Sequence, residues 1–485
     1  MSAVLAPVDH AAPPAVEHPA AAALRAALQR QRTAYLADPV PTLAQRRADL
    51  RTLERYVHEQ QEALIEAVRV DYGHRSRHET LMTEIGPLLA SIRHARRHLR
   101  GWMKPQRRHV DRLTYGLGRN TVIPQPLGVV GVIVPWNFPI NLSLIPLVYI
   151  YAAGNRAMVK MSENSRHLAR LLIDTLPAYF PPEKLQVFDE TGGVGIEFSK
   201  LPFDHLLFTG SGTTGRAVMA AAAQNLCPVT LELGGKAPAI VCDDVDIALA
   251  AERISFIKCL NAGQICTTVD HAYVPEAKVE AFVEAAKRAV PQRYADLDSS
   301  DYTSIIDRRA YERLLRALDE AQSRGATLIP LLPGRTRDDE RRRLVPHLVL
   351  GAPADCALMQ REIFGPVLPI VPYRDLDDVI ARVNAGPRPL AIYPFSDRRD
   401  RIDRLIERVM SGGVTVNDAL LHVGQDDLPF GGVGESGMGH YHGREGFLTF
   451  SKLRPVFRQA RWSSLKLLEP PYGRFADAVL KFLTR

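Results

Sequence analysis

From residue 129 to residue 416 the chain alternates between short apolar segments and amphipathic helical patterns. No other feature limits its fold as strongly. Residues 129–134, 157–161, 185–188, 205–208 and 229–233 read as strands. Helices are expected at 142–153, 166–179 and 215–225. Apolar strands joined by helical crossovers require a parallel sheet covered on both faces. A second run begins just after Gly235. It has strands at 238–241, 272–274, 346–349 and 413–416, and helices at 247–259, 278–290, 311–323 and 376–384. Two α/β domains suit a chain of 485 residues. Ahead of them, 24–38, 41–71 and 79–99 read as helices. In the second, Leu50, Leu53, Val57, Leu64 and Val68 recur at helical spacing. Residues 113–123 read as a hairpin turned at Gly116 and Gly118.

Composition excludes several classes. With 46% hydrophobic and 24% charged residues the chain reads as a globular protein in water. Its longest apolar runs fall far short of the roughly 20 residues that cross a bilayer. Residues 1–22, rich in Ala and Pro, lack the pattern of a secretory signal and read as a disordered lead-in. Five cysteines without metal-ligand spacing point to free thiols, a reducing cytoplasmic location and no metal. The net charge is +7, with a basic cluster between Arg93 and His109. One aromatic residue and no binding module accompany that cluster, so it reads as a solvated helix face rather than a nucleic-acid surface.

The chemistry concentrates between Thr230 and Asp270. Thr230-Leu-Glu-Leu-Gly-Gly-Lys236 supplies an acid, Glu232, and Asn261-Ala-Gly-Gln-Ile-Cys-Thr-Thr268 supplies a thiol, Cys266. A thiol that attacks and a carboxylate that activates water allow a two-step covalent mechanism. The two flank the expected domain boundary, where clefts form. Upstream, Phe208-Thr-Gly-Ser-Gly-Thr-Thr-Gly215 joins a strand to a helix. Gly210, Gly212 and Gly215 fit a phosphate loop at a helix N-terminus. Glu232 follows Gly210 at the distance of a ribose-binding acid. From the residues alone it therefore has two rival roles, base or ribose ligand. Pro135-Trp-Asn-Phe-Pro139 ends a strand and sets the Asn137 amide where an oxyanion could develop. Lys160 and Glu163 follow another strand and can bond ribose hydroxyls. Glu362 and Phe364 precede a Gly-Pro turn, and 429–439 holds five glycines.

These motifs, in this order, resemble the NAD(P)-dependent aldehyde dehydrogenase superfamily from about Leu43 onward. Ser436-Gly-Met-Gly-His-Tyr-His-Gly443 and the stretch 447–450 are similar to its class 3 branch, and with 467–473 to the bacterial coniferyl aldehyde dehydrogenases there. The resemblance implies a Rossmann-like parallel-sheet cofactor domain, a second α/β catalytic domain and a small β oligomerisation element. On that scheme 23–112 and 126–234 bind NAD(P), and 235–428 form the catalytic domain. Residues 113–125 and 450–485 then form the oligomerisation hairpin and C-terminal segment.

The resemblance also assigns roles. Cys266 matches the family's nucleophile, Glu232 its general base and Asn137 its oxyanion amide. Trp136, Lys160, Glu163, Gly210, Ser211, Gly215, Glu362 and Phe364 match its cofactor contacts. Glu163 would repel a 2′-phosphate, favouring NAD, although class 3 relatives often take NADP too. Where relatives usually carry Thr, this chain has Gly212, which removes a hydroxyl from the phosphate loop. The substrate implied is a small aldehyde, aromatic such as coniferyl aldehyde or medium-chain aliphatic, and the expected assembly is a homodimer with no nucleic-acid or membrane partner. Without the resemblance, a Rossmann dehydrogenase lacking covalent catalysis and a thiol acyltransferase or esterase stay open as alternatives.

Overall fold

The computed structural model describes residues 19–461, 463, 466 and 468–484. Two helices come first, α1 (Pro19–Ala37) and α2 (Leu43–Tyr72). The lead-in expected through residue 22 is corrected at 19–22, which already belong to α1; its remainder lies outside the described residues. The alanine-rich run favours a helix, and α1 buries Leu24, Ala27 and Leu28 in the same core as Met158, Phe198 and Phe203. Thr42 caps α2 in a reciprocal box with Gln45.

The helix expected at 79–99 is broken by one π-helical turn. Arg77–Thr80 runs into that turn at Leu81–Ile85 and then into α3 (Gly86–Trp102). Pro87 has no N–H to give to the Thr83 carbonyl, which instead accepts the side-chain amide of Asn141 at 3.1 Å. The arrangement buries Glu84 against the next helix.

The first sheet contains β1 (Val129–Ile133), β2 (Arg156–Lys160), β3 (Leu185–Phe188), β4 (His205–Thr209) and β5 (Val229–Glu232), with α4 (Pro139–Ala153) after β1 and α5 (Gly212–Ala223) after β4. α4 is apolar on all sides, and it is buried on all sides, in one core with α2 and α3. The second sheet is formed by β6 (Pro238–Val241), β7 (His271–Pro275), β8 (Thr327–Pro330), β9 (His347–Leu350), β10 (Val367–Tyr373), β11 (Ala391–Phe395) and β12 (Gly413–Val414). β13 (Gly437–Met438) returns to the first sheet, whose spatial order is β13-β5-β4-β1-β2-β3, with only β13 antiparallel. The second sheet runs β8-β9-β10-β7-β6-β11-β12, with β8 antiparallel. β11 went unread in the sequence because Pro394 punctuates it.

Register aligns the functional ends. Ile133 lies opposite both Lys160 and Phe208, and Thr209 lies opposite Glu232. The carboxyl edge of the first sheet therefore carries the loops that begin at Pro135, Met161, Gly210 and Leu233, where open α/β sheets bind ligands.

The hairpin expected at 113–123 is corrected. Gln106–Arg108 pairs with Arg119–Pro126, and a helical turn, Arg112–Tyr115, lies between them. Gly116, at φ +59°, follows that turn instead of making a tight hairpin. A Cβ on Gly118 would stand 2.6 Å from the Phe457 ring, so this glycine answers a packing need. Ser451–Arg458 pairs along all of Arg119–Pro126 and completes a three-stranded sheet. Within the C-terminal segment, Arg474–Leu483 is a helix with Phe475 and Phe482 exposed. Among the described residues no helix is long and apolar enough to cross a membrane. The basic cluster is largely a solvated face of α3, with Arg96 paired to Glu54.

Candidate active site

Cys266 follows a turn of unusual backbone. Asn261 and Ala262 both have φ of +50° and Gly263 has +70°, three left-handed residues in succession. Such a turn persists only where its surroundings determine it. Here Asn261 N–H donates to Glu79 Oε1 at 3.1 Å, and Thr303 holds the other Glu79 oxygen at 2.5 Å. The Gln264 side chain donates to the carbonyls of Asn261 and Ser304 and accepts from Ile306 N–H. A Cβ at Gly263 would fall 2.3 Å from the Gly365 carbonyl oxygen, so the loop of Cys266 lies directly on the loop of Glu362 and Phe364.

Of the five cysteines Cys266 alone is partly exposed; the others are buried. It lines a cavity of about 330 Å³ together with Glu232, Thr209, Phe430 and Tyr441. Burial pushes its thiol up to about 12, with the nearby Glu362 and Glu232 carboxylates adding to the effect. Glu232 ends β5 and is buried, and neither carboxylate oxygen has a hydrogen-bond partner among the described residues. Burial therefore raises its pKa well above the ordinary range. A buried carboxyl without a partner is costly, and groups perturbed this way concentrate at functional sites.

Asn137 sits in the β1–α4 loop. Its side-chain amide donates to the Gln264 carbonyl at 3.2 Å, two residues before Cys266. Its own carbonyl accepts from Tyr72 hydroxyl at 2.9 Å and from Arg75 and Asn261, each at 3.2 Å. Arg75 is fully buried and also pairs with Glu84 at 2.7 Å. The second Glu84 oxygen takes the first N–H groups of α4, from Ile140 at 2.7 Å and Asn141 at 3.0 Å. Tyr72, Arg75 and Glu84 are positioning residues that sequence reasoning missed, because their partners lie some 60 residues away along the chain.

The expected cofactor residues fall into two groups. Trp136 meets Phe364 edge-on at 5.3 Å, so the two sheets approach each other there. Glu362 packs over Gly234, where a Cβ would lie 2.1 Å from its carboxylate. Burial raises Glu362 to about 8, with the Asp270 charge contributing. Its loop is fixed by Arg313 to the Ile363 carbonyl, by Asp270 to Ile363 N–H, and by Lys236, which bridges Asp270 and the Leu358 and Arg361 carbonyls.

In the second group, Lys160 and Glu163 both follow β2 but are not joined. Lys160 is buried and pairs with Glu190 beyond β3, whereas Glu163 is exposed with Ser162 hydroxyl 3.3 Å away. Glu190 was also missed; its signal was the strand end followed by Gly192 and Gly193, both at positive φ. Ser211 caps α5, its hydroxyl accepting from Thr214 N–H at 3.3 Å. Gly215 is required for contact, since a Cβ there would sit 2.7 Å from Leu233. Gly212 faces open space, with only Arg216 within 4 Å. The first-turn N–H groups of a 12-residue helix, the adjacent Arg216 guanidinium and the buried Lys160 ammonium fit a dinucleotide laid along this edge.

A sheet edge that fits a dinucleotide, beside a cavity that holds a thiol, matches the architecture of a nucleotide-dependent dehydrogenase. The chain belongs to the aldehyde dehydrogenase family, whose model matches residues 2–456. It is 51% identical to a probable coniferyl aldehyde dehydrogenase of Pseudomonas aeruginosa, over 93% of this chain and 94% of that one. It is 42% identical to a coniferyl aldehyde dehydrogenase of a Pseudomonas species, over 95% and 96%. Among solved structures, the substrate-bound AldH of Staphylococcus aureus matches with a TM-score of 0.89 at 33% identity, covering 95% of this chain and 99% of that one. The NAD+ complex of a Mycobacterium tuberculosis aldehyde dehydrogenase matches at 0.81 and 25% identity, over 92% and 91%. An NADP complex of the Bacillus halodurans glyceraldehyde-3-phosphate dehydrogenase matches at 0.82 and 26%, over 90% and 91%. The chain is an NAD(P)-dependent enzyme that oxidises aldehydes.

Proposed function

We propose that the cavity oxidises an apolar, aromatic aldehyde of the coniferyl type to its acid through a thioester on Cys266. The observation that carries this reading is the buried, unpartnered Glu232 carboxyl sharing one cavity with Cys266. The Cys266 thiol gives up its proton to solvent, and the thiolate Sγ adds to the aldehyde carbon. The Asn137 side-chain amide turns from the Gln264 carbonyl to the developing oxyanion, joined by the Cys266 backbone N–H. NAD(P), when bound, supplies the hydride acceptor. Lys160, Ser211 and Gly210–Gly215 hold its adenosine and phosphates, and Glu362, Phe364 and Trp136 its nicotinamide end. Glu163, exposed after β2, is a further contact for the adenosine ribose. Glu232 then takes a proton from water, which hydrolyses the thioester.

The coniferyl aldehyde dehydrogenases among the relatives and the largely apolar cavity walls together support an aromatic substrate. The three-stranded sheet of 106–126 and 451–458 supports a homodimer, and the free thiols support a cytoplasmic enzyme. The test follows NADH or NADPH absorbance with coniferyl aldehyde, benzaldehyde and hexanal, for wild type and Cys266→Ser. Coniferyl aldehyde is expected to give the highest kcat/KM, and the variant none. A variant that oxidises aldehydes at the wild-type rate would remove the thioester route.

A further inference from the structure

The cavity that holds Cys266 and Glu232 has a second polar feature, which the reaction does not use. Ser91 of α3 and Asp426 both line it. Ser91 hydroxyl donates to Asp426 Oδ1 at 2.5 Å, and Tyr149 hydroxyl approaches the same oxygen at 3.5 Å. Both contacts converge on Oδ1. Among the described residues Oδ2 accepts no hydrogen bond, and Asp426 has no cationic partner within 4 Å. Asp426 is half-buried beside Gly424 and Gln425, which are exposed, so it stands at the open end of the cavity.

An aromatic wall separates this pair from the reacting groups. Tyr441, buried beside Glu232, Cys266 and Tyr149, is pushed well above the ordinary phenol range. It packs edge-on against His442 at 4.6 Å and Phe430 at 6.1 Å, and Tyr149 carries the contact onward to Asp426. Leu142, Ile145 and Val423 complete an apolar passage. The cavity therefore presents a thiol and acid, then apolar and aromatic walls, then a carboxylate with a free acceptor.

We propose that Ser91 and Asp426 form a specificity subsite for a hydroxyl carried at the far end of the substrate, making phenolic aldehydes with a para-hydroxyl the preferred class. The proposal rests on the aromatic-aldehyde reading above and adds to it the group that selects among such aldehydes. A phenolic O–H donates to Asp426 Oδ2 in a charge-assisted bond, the strong kind of hydrogen bond. An unsubstituted ring or alkyl tail instead lays hydrocarbon against the carboxylate and removes water without replacing its hydrogen bond.

The test compares kcat/KM for 4-hydroxycinnamaldehyde and cinnamaldehyde, with hexanal as a third substrate and NAD throughout. It uses wild type, Asp426→Asn and Ser91→Ala, each checked for its thermal midpoint. Wild type is expected to favour the hydroxylated aldehyde by about 10-fold or more, the size of a hydrogen bond to a charged group. Both variants are expected to reduce that ratio to about 3-fold or less, with most of the change in KM for the hydroxylated substrate. A wild-type ratio near one, or variants that lose equally on both aldehydes, would overturn the subsite and leave the pair as a structural tie between α3 and the 426 loop. Hexanal outperforming both aromatic aldehydes would overturn the aromatic reading as well. A flat ratio between two well-used aromatic substrates strikes only the subsite. Should Asp426→Asn fail to fold, Ser91→Ala alone decides.

Discussion

Gly263→Ala tests whether the contact between the Cys266 loop and the Phe364 loop governs catalysis. The new Cβ would lie 2.3 Å from the Gly365 oxygen and 2.6 Å from its carbonyl carbon. Real Cβ contacts essentially never fall under 3.0 Å, so the loops must part by about 0.7–1 Å. Gly365 cannot simply retreat, because its own open side packs on Leu314, 2.5 Å from where a Cβ would stand. Holding alanine at φ +70° adds about 1–2 kcal/mol of backbone strain. A displacement near 1 Å between the Cys266 and Phe364 loops is expected to cost about 100-fold in rate. The assay is steady-state NADH formation with saturating NAD, accompanied by urea unfolding. Expected results are a fall of about 100-fold in kcat/KM and a loss of about 2 kcal/mol or more in stability. Gly325→Ala is the control. Gly325 has φ +94° but nothing within 4 Å of a Cβ, so it should show strain of about 1 kcal/mol and no loss of rate. Near wild-type kcat/KM in Gly263→Ala would refute the argument that this contact aligns the site.

Glu232→Gln should abolish thioester hydrolysis while changing how stability depends on pH. Because burial raises the Glu232 pKa, its contribution to stability is present below the ordinary carboxyl pKa and is lost as pH rises through the folded value. The variant lacks that loss, so its thermal midpoint should pull ahead of wild type as pH rises above the ordinary carboxyl pKa; parallel curves would contradict the assignment. Glu84→Gln leaves Arg75 buried without its partner and turns an amide toward the first N–H groups of α4. A loss of about 3–5 kcal/mol is expected in urea unfolding, and a shift under about 1 kcal/mol would show the pair to be dispensable. Gly212→Thr meets only Arg216, at 3.5 Å, so it should fold normally and tighten NAD binding by about 0.5–1.5 kcal/mol through one restored hydroxyl. Fluorescence titration with NAD reads this, and an unchanged Kd would remove Gly212 as a determinant of cofactor affinity.

Local pattern determined much of this protein. Buried strands are apolar for their whole length, so β1 and β6 are legible from sequence alone, and the helix at Ile247–Cys259 likewise. Glycine spacing marked the tight turn from β4 into α5, and the order of motifs marked the family. Pattern failed where a partner was remote. The hairpin at 113–123 was misread because its true strands pair across a helical turn and with Ser451–Arg458, more than 300 residues on. Arg75 carries no local mark, since it is defined by a charge that folding brings to it. The rival roles of Glu232 show the division most clearly. Its distance from Gly210 suits a ribose acid, and β5 does lie beside β4. Yet its carboxyl faces the Cys266 cavity. Sequence determined which groups were present and on which strand ends. Only the tertiary structure decided which would be buried together, because burial and electrostatic coupling depend on distance in space, not along the chain.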